Sequence, residues 1–299
     1  MDVNSNGYTF TFAAVMVVVV AVVLAVVAEG LKPLQKLNVA NEKRQNILQS
    51  VGIKADAAEA EAKYNEYKKE EFILDAYGKR KENATRAPFD VDMLKDYKGG
   101  LSSIYKLYKG GKGSATWDET RAACAAWREE GADYPMFVVN GADGKPSYVV
   151  PMMGTGLWGP VWGYLAIDED GSTVKGAIFD HKTETPGLGA EISEAGFQVP
   201  FKGKQLFNAD GEFEGIKAVK GGAAQDDLHG VDAISGGTIT SNGVTEMIIR
   251  TMKIYEPFFL ELRDGKAQAK VELIEEIVPD STNLVMDSVV VDTAAIAGN

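Results

Sequence analysis

The chain has 299 residues, a formal net charge of -12, one cysteine and two histidines. The acidic balance argues against a nucleic-acid backbone as partner. Cys124 alone supports no internal disulfide, CxxC pair or cysteine-ligated cluster, and His181 and His229 are too few for a His-rich metal centre. No metal ligands and no catalytic residues are therefore assigned, and an electron carrier built on this chain would use an organic cofactor.

From Tyr8 to Ala28 no residue is charged, and valines crowd the run from Val15 onward. Roughly 20 apolar residues span a bilayer. A cleaved leader ending at Val26-Val27-Ala28 fits less well. Asp2 and no Lys or Arg precede the run, and its length exceeds the roughly 7–15 residues of a leader's apolar core. The expectation is one retained transmembrane helix. Pro33 is expected to break a short juxtamembrane segment over 30–36. Helices are expected over 38–49 and over 55–77, the latter rich in Ala, Glu and Lys, followed by a basic, loop-rich stretch over 79–113. A further helix is expected over 116–130, carrying Cys124 as a small core residue.

The texture then changes to strands. Met136–Val139 and Ser147–Pro151 flank the turn Asn140–Gly144 as a hairpin. Residues 164–167 and 174–180 flank the turn Asp168–Gly171, and Ile216–Val219 continues the pattern. Hairpin-length steps without intervening helices predict an antiparallel sheet with helices to one side, an α+β domain. No GxGxxG follows a strand, so a dinucleotide-binding domain is not supported.

Three stretches stand out. Gly156-Leu157-Trp158-Gly159 places glycines around an aromatic, either as a site wall or as sheet core. Glu184-Thr185-Pro186-Gly187-Leu188-Gly189 reads as a type II turn, with proline at its first central position and Gly187 at the positive-φ position. Asp232-Ala-Ile-Ser235-Gly236-Gly237-Thr238 is a turn of small residues entering a helix. That helix carries Val244, Met247, Ile248 and Met252 at helical spacing, with Thr240 or Ser241 as candidate N-cap and Pro257 as its expected stop. Backbone N–H groups at such a helix start suit a phosphate, and Thr238 brings a hydroxyl to the same spot. The tail from Val271 has no Lys or Arg, with a possible strand over 285–291.

Together, and in this order, these motifs resemble those of the C subunit of the Na⁺-translocating NADH:quinone reductase, a likeness that extends over nearly the whole chain and includes the N-terminal anchor. The resemblance implies one FMN bound covalently through its phosphate to Thr238, installed from FAD by a flavin transferase that reads an Asp-x-x-Ser/Thr-Gly-Ala-Thr pattern. Asp232 and Ser235 stand where that pattern needs them, Gly236 matches, and Gly237 replaces the usual Ala. It also places Leu157, Trp158, Glu184, Thr185, Gly187, Leu188 and Gly189 near the flavin. The implied organisation is an anchor over 1–30 and a helical and loop segment over 31–130. An FMN-binding α+β domain follows over 131–270, with an acidic tail over 271–299. The implied partners are the A, B, D, E and F subunits of the complex in a bacterial inner membrane, with the flavin domain on the periplasmic side. A G subunit of an Rnf-type ferredoxin-linked complex shares this flavin chemistry. A non-redox membrane-anchored assembly protein with a bare Thr238 is the third alternative.

Overall fold

A computed structural model of the chain describes residues 5–97 and 133–277. Five strands form one antiparallel meander: β1 (Lys68–Leu74), β2 (Tyr134–Asn140), β3 (Pro146–Thr155), β4 (Pro160–Ile167) and β5 (Val174–His181), in spatial order 1-2-3-4-5. The expected α+β architecture is present, with helices on both faces of the sheet and not on one side alone. Its central strands read as apolar runs because both faces are covered. On one face Val138, Val150, Met152, Leu165 and Ile167 pack with Val244, Met247, Ile248 and Met252. On the other, Phe137, Val139, Val149 and Ala166 pack with Ile47, Leu48, Val51 and Tyr64.

The helix covering that second face is the end of α1 (Asn6–Ser50). Its 18-residue apolar window has a mean hydropathy of 3.1 and none of it is buried, so by length and composition α1 can cross a membrane. Its last turns belong to the folded domain, where Lys43 Nζ donates to Phe89 O at 2.7 Å beside the Phe89 ring. The expected break at Pro33 does not occur: α1 is continuous through it. A proline removes one ladder hydrogen bond, here the one to the Glu29 carbonyl, and the turns on either side carry the helix across.

The helix expected over 55–77 is also corrected. Only α2 (Ala60–Tyr67) is helical, and Lys68 onward is the edge strand β1. Pairing with β2 from Lys68↔Val139 to Leu74↔Tyr134 overrides the helix preference of Lys and Glu, and Phe72 meets the Phe258 ring at 5.6 Å. The charged start of β1 suits an edge, where it discourages pairing with another chain. A short helix, α3 (Met93–Asp96), closes this part. The helix expected over 116–130 with Cys124 lies outside the described residues.

After β5 the chain makes the helical turn α4 (Ala195–Gln198) and a small parallel pair, β6 (Lys217–Val219) with β7 (Gly230–Asp232); β6 falls on the strand expected over 216–219, while β7 and the parallel pairing were not foreseen. The last element is α5 (Thr238–Ile277). It passes through Pro257, correcting the expected stop. Tyr255 and Phe259 are fully buried against the sheet, and Phe258 and Phe259 meet Tyr148 edge-on. That packing outweighs the one bond the proline removes. The possible strand over 285–291 lies outside the described residues.

Candidate functional site

The three glycine-rich stretches converge at one end of the sheet. The first links β3 to β4, the second follows β5, and the third joins β7 to α5. The turn at 185–188 is the one the sequence predicts: Leu188 N–H donates to Thr185 O at 3.1 Å, and Gly187 has φ +76°. That conformation is left-handed and favours glycine, and Gly236, at φ +75°, needs it as well.

Helix α5 starts at Thr238, two residues before the expected cap. Thr240 and Ser241 therefore lie inside its first turn, and their hydroxyls do other work. Ser241 Oγ accepts from Ile234 N–H at 3.0 Å, closing the loop onto the helix, and Thr240 Oγ1 donates to Glu184 Oε2 at 2.6 Å. The first helical bond runs from Ser241 N–H to Gly237 O, so the N–H groups of Thr238, Ile239 and Thr240 precede the ladder and lack an acceptor within it. A helix head whose first N–H groups have no acceptor in the helix suits an anion, and the Thr238 hydroxyl lies beside it.

Beside that head lies an open cleft of about 350 Å³. Leu157, Trp158, Glu184, Thr185, Leu188, Gly189, Gly236, Gly237 and Thr238 line it, joined by Ile239 and Thr240. Leu157, Trp158, Leu188 and Ile239 are 49, 67, 42 and 58% exposed, so the 156–159 stretch is a wall and not sheet core. Sequence reasoning left Ile239 out. Its signal was an apolar residue at the helix start, off the stripe of Val244, Met247 and Ile248. Gly187, Asp232 and Ser235 do not line the cleft. Asp232 is exposed, and its carboxylate accepts from Ala223 N–H at 2.8 Å, bracing the turn before β7.

Glu184 is only 5% exposed and turns its carboxylate inward. Oε1 accepts from Trp158 N–H at 2.8 Å, and the neighbouring amides of Leu157 and Gly159 also favour the charged group. Burial pushes its pKa up, but the Thr240 hydroxyl and the three amides outweigh burial and hold the carboxyl below its ordinary value, so it is ionised at neutral pH. Among the described residues no group of His, Cys, Asp and Glu is arranged to hold a metal ion.

The donor set fits a flavin mononucleotide. The helix head suits a phosphate, a hydroxyl adjoins it, and four exposed apolar side chains offer surfaces for a flat ring. Residues 156–253, which contain all three loops, match the FMN-binding domain family. The site and fold thus define a flavin-domain protein with an N-terminal helix of membrane-spanning length. Among relatives, the C subunit of the Na(+)-translocating NADH-quinone reductase of Vibrio campbellii is 32% identical over 253 residues, covering 83% of this chain and 91% of that protein. The equivalent protein of Vibrio alginolyticus is 30% identical over 257 residues with the same coverage. The crystal structure of the C subunit from Parabacteroides distasonis is 39% identical with a TM-score of 0.61, covering 77% of this chain and 96% of that one. That of Shewanella oneidensis NqrC is 28% identical with a TM-score of 0.54, covering 75% and 98%. The chain belongs to the family of C subunits of the Na(+)-translocating NADH-quinone reductase.

Gly237 is buried but has no positive φ. A Cβ there would lie 2.9 Å from Ile234 Cγ2 and 3.1 Å from its Cβ. Gly237→Ala is therefore expected to be accepted once Ile234 and its loop shift by a few tenths of an ångström, with flavin content near the parent's level and stability lower by roughly 1–3 kcal/mol. In-gel flavin fluorescence with a thermal melt checks this, and a large fall in flavin content would contradict it.

Proposed function

We propose that this chain relays electrons within a membrane-bound, Na⁺-translocating NADH:quinone reductase through one FMN esterified by its phosphate to Thr238. The observation that carries the reading is the Thr238 hydroxyl at the head of α5, beside N–H groups without helical acceptors and at the mouth of an apolar cleft. In attachment, the Thr238 oxygen displaces AMP from FAD at the flavin-side phosphorus, and the hydroxyl proton passes to a base of the flavin transferase. Asp232 and Ser235, both exposed, and Gly236 form the rest of the segment the transferase reads.

When bound, the flavin supplies the electron transfer. This chain's residues hold and shield it. The N–H groups of residues 238–240 would counter the phosphate charge, and Leu157, Trp158, Leu188 and Ile239, with the Thr185 hydroxyl, would line the space the ring takes up. Esterification at the phosphate leaves the ring unmodified and prevents loss of the cofactor. The partners are the A, B, D, E and F subunits. The names of the relatives favour this complex over an Rnf-type one. The direct test is a visible spectrum of the chain purified from its native membrane, denatured and washed: flavin absorbance persists if the ester exists, and a colourless protein refutes it.

The flavin domain is placed on the periplasmic side of the inner membrane. Lys32, Lys36, Lys43 and Arg44 follow the span and none precedes it, which by the positive-inside rule would put the domain in the cytoplasm. The resemblance to the C subunits, which implies a periplasmic flavin domain, favours the other side, and two points weaken the charge argument. That rule weakens for long translocated domains, and Lys32 and Lys36 lie close enough to the span for their stems to reach headgroup phosphates. A cysteine placed in the 140–144 turn, in a Cys124→Ser background, is expected to react with a membrane-impermeant thiol reagent once the outer membrane is permeabilised. Labelling only after inner-membrane lysis would reverse the orientation.

A further inference from the structure

Resting on the flavin reading above, we propose that Glu184 is a positioning residue. A single buried carboxylate holds the Leu157–Trp158 wall, the 184–189 turn and the head of α5 at fixed spacing, and so sets how the cleft presents its flavin. The three segments meet at the two oxygens of this side chain. Oε1 takes the Trp158 N–H at 2.8 Å, and Oε2 takes the Thr240 hydroxyl at 2.6 Å, two residues from the attachment oxygen. On its own chain, His181 Nδ1 accepts from Glu184 N–H at 3.3 Å and fixes the backbone from which the carboxylate projects. The surroundings are cut to fit the carboxylate. A Cβ on Gly156 would lie 2.6 Å from Oε1, and one on Gly189 would lie 2.5 Å from Oε2. Both glycines therefore leave room for the carboxylate, and neither position has the left-handed φ that would otherwise explain it.

The chemistry separates charge from geometry. Every backbone group facing the carboxylate is a donor, while Thr240 carries a hydroxyl that can donate or accept. In Glu184→Gln the amide oxygen can keep the Trp158 N–H and the amide nitrogen can donate to Thr240 Oγ1, so the spacing survives and the charge does not. In Glu184→Ala the backbone donors lose their acceptor and the three segments separate. Losing a hydrogen bond to a charged group should raise local opening at these amides roughly tenfold or more.

The experiment uses the full chain purified from its native membrane in three forms: parent, Glu184→Gln and Glu184→Ala. Hydrogen exchange is read at the amides of residues 157–159, alongside the visible spectrum and midpoint potential of the flavin. Exchange at these amides is expected to quicken at least tenfold in Glu184→Ala and to stay within a few-fold of the parent in Glu184→Gln. The flavin bands should shift in Glu184→Ala. In Glu184→Gln the bands should hold while the midpoint potential moves positive, because a fixed negative charge has gone. Parent-like exchange and spectrum in Glu184→Ala would overturn the proposal. If the parent carries no flavin but Glu184→Ala still loosens residues 157–159, the positioning role stands and the flavin reading falls. If the parent carries flavin and residues 157–159 do not respond, the reverse holds.

Discussion

Thr238→Ala is expected to carry no covalent flavin and to fold. The hydroxyl is the only atom of this side chain that the ester requires, and Thr238 is half-buried at the first position of α5. Alanine is a good helix residue there, and the ladder begins with the backbone bond from Ser241 to Gly237 whatever the side chain at 238. Stability should change by no more than about 1 kcal/mol, a size typical of partly exposed helix positions. In-gel fluorescence should vanish while circular dichroism and the melting profile match those of flavin-free parent. Fluorescence at full strength in this variant would move the attachment elsewhere, with the exposed hydroxyl of Ser235 as the next position to test.

Gly189→Ala is expected to be strongly destabilising, and Gly187→Ala, two residues away, a mild change. Position 187 has φ +76° and open space where a Cβ would go, so alanine there costs only the left-handed conformation, about 1–2 kcal/mol. Position 189 has no such φ, but its Cβ would lie 2.5 Å from Glu184 Oε2 and would strike the Thr240 hydroxyl. Both are buried, so neither side chain can step aside into solvent. The charge-assisted bond between them contributes about 1.5–3 kcal/mol. Overpacking adds roughly 1–3 kcal/mol, against a total stability of about 5–15 kcal/mol. The melting temperature should fall by on the order of ten degrees for Gly189→Ala and a few degrees for Gly187→Ala. Flavin content should drop only in the former. Equal effects at the two positions would mean that backbone conformation, and not the approach of Glu184 to Thr240, is what glycine supplies.

These expectations show where the sequence was legible. Pro186-Gly187 fixes its turn through local covalent restraints alone, so the type II geometry could be read directly. The sheet could be read from hairpin spacing, because antiparallel neighbours are also neighbours in sequence. The misreadings share a physical cause. Lys68–Leu74 has helical composition but pairs with β2, a partner about 65 residues away whose attraction no local pattern records. Pro33 and Pro257 each break one hydrogen bond, but long helices held by their neighbouring turns, and in α5 by aromatic packing, absorb the loss. At the site, the motifs announced themselves one by one, while their junction did not. Glu184 looked like a group offered to a ligand. Only in three dimensions does it turn inward to Trp158 and Thr240, and only there do Gly156 and Gly189 acquire a reason. Thr240 had no signal beyond its place near a helix start, and Ile239 only that of an apolar residue off the stripe of Val244, Met247 and Ile248.

The ester at Thr238 is tested most directly by mass. The chain should be purified from its native membrane under denaturing conditions, its intact mass measured, and the peptide containing residues 235–240 fragmented. The account predicts one species heavier than the bare chain by one FMN less one water, with the added mass retained on Thr238. An unmodified intact mass, or the added mass located on any other residue, would contradict it.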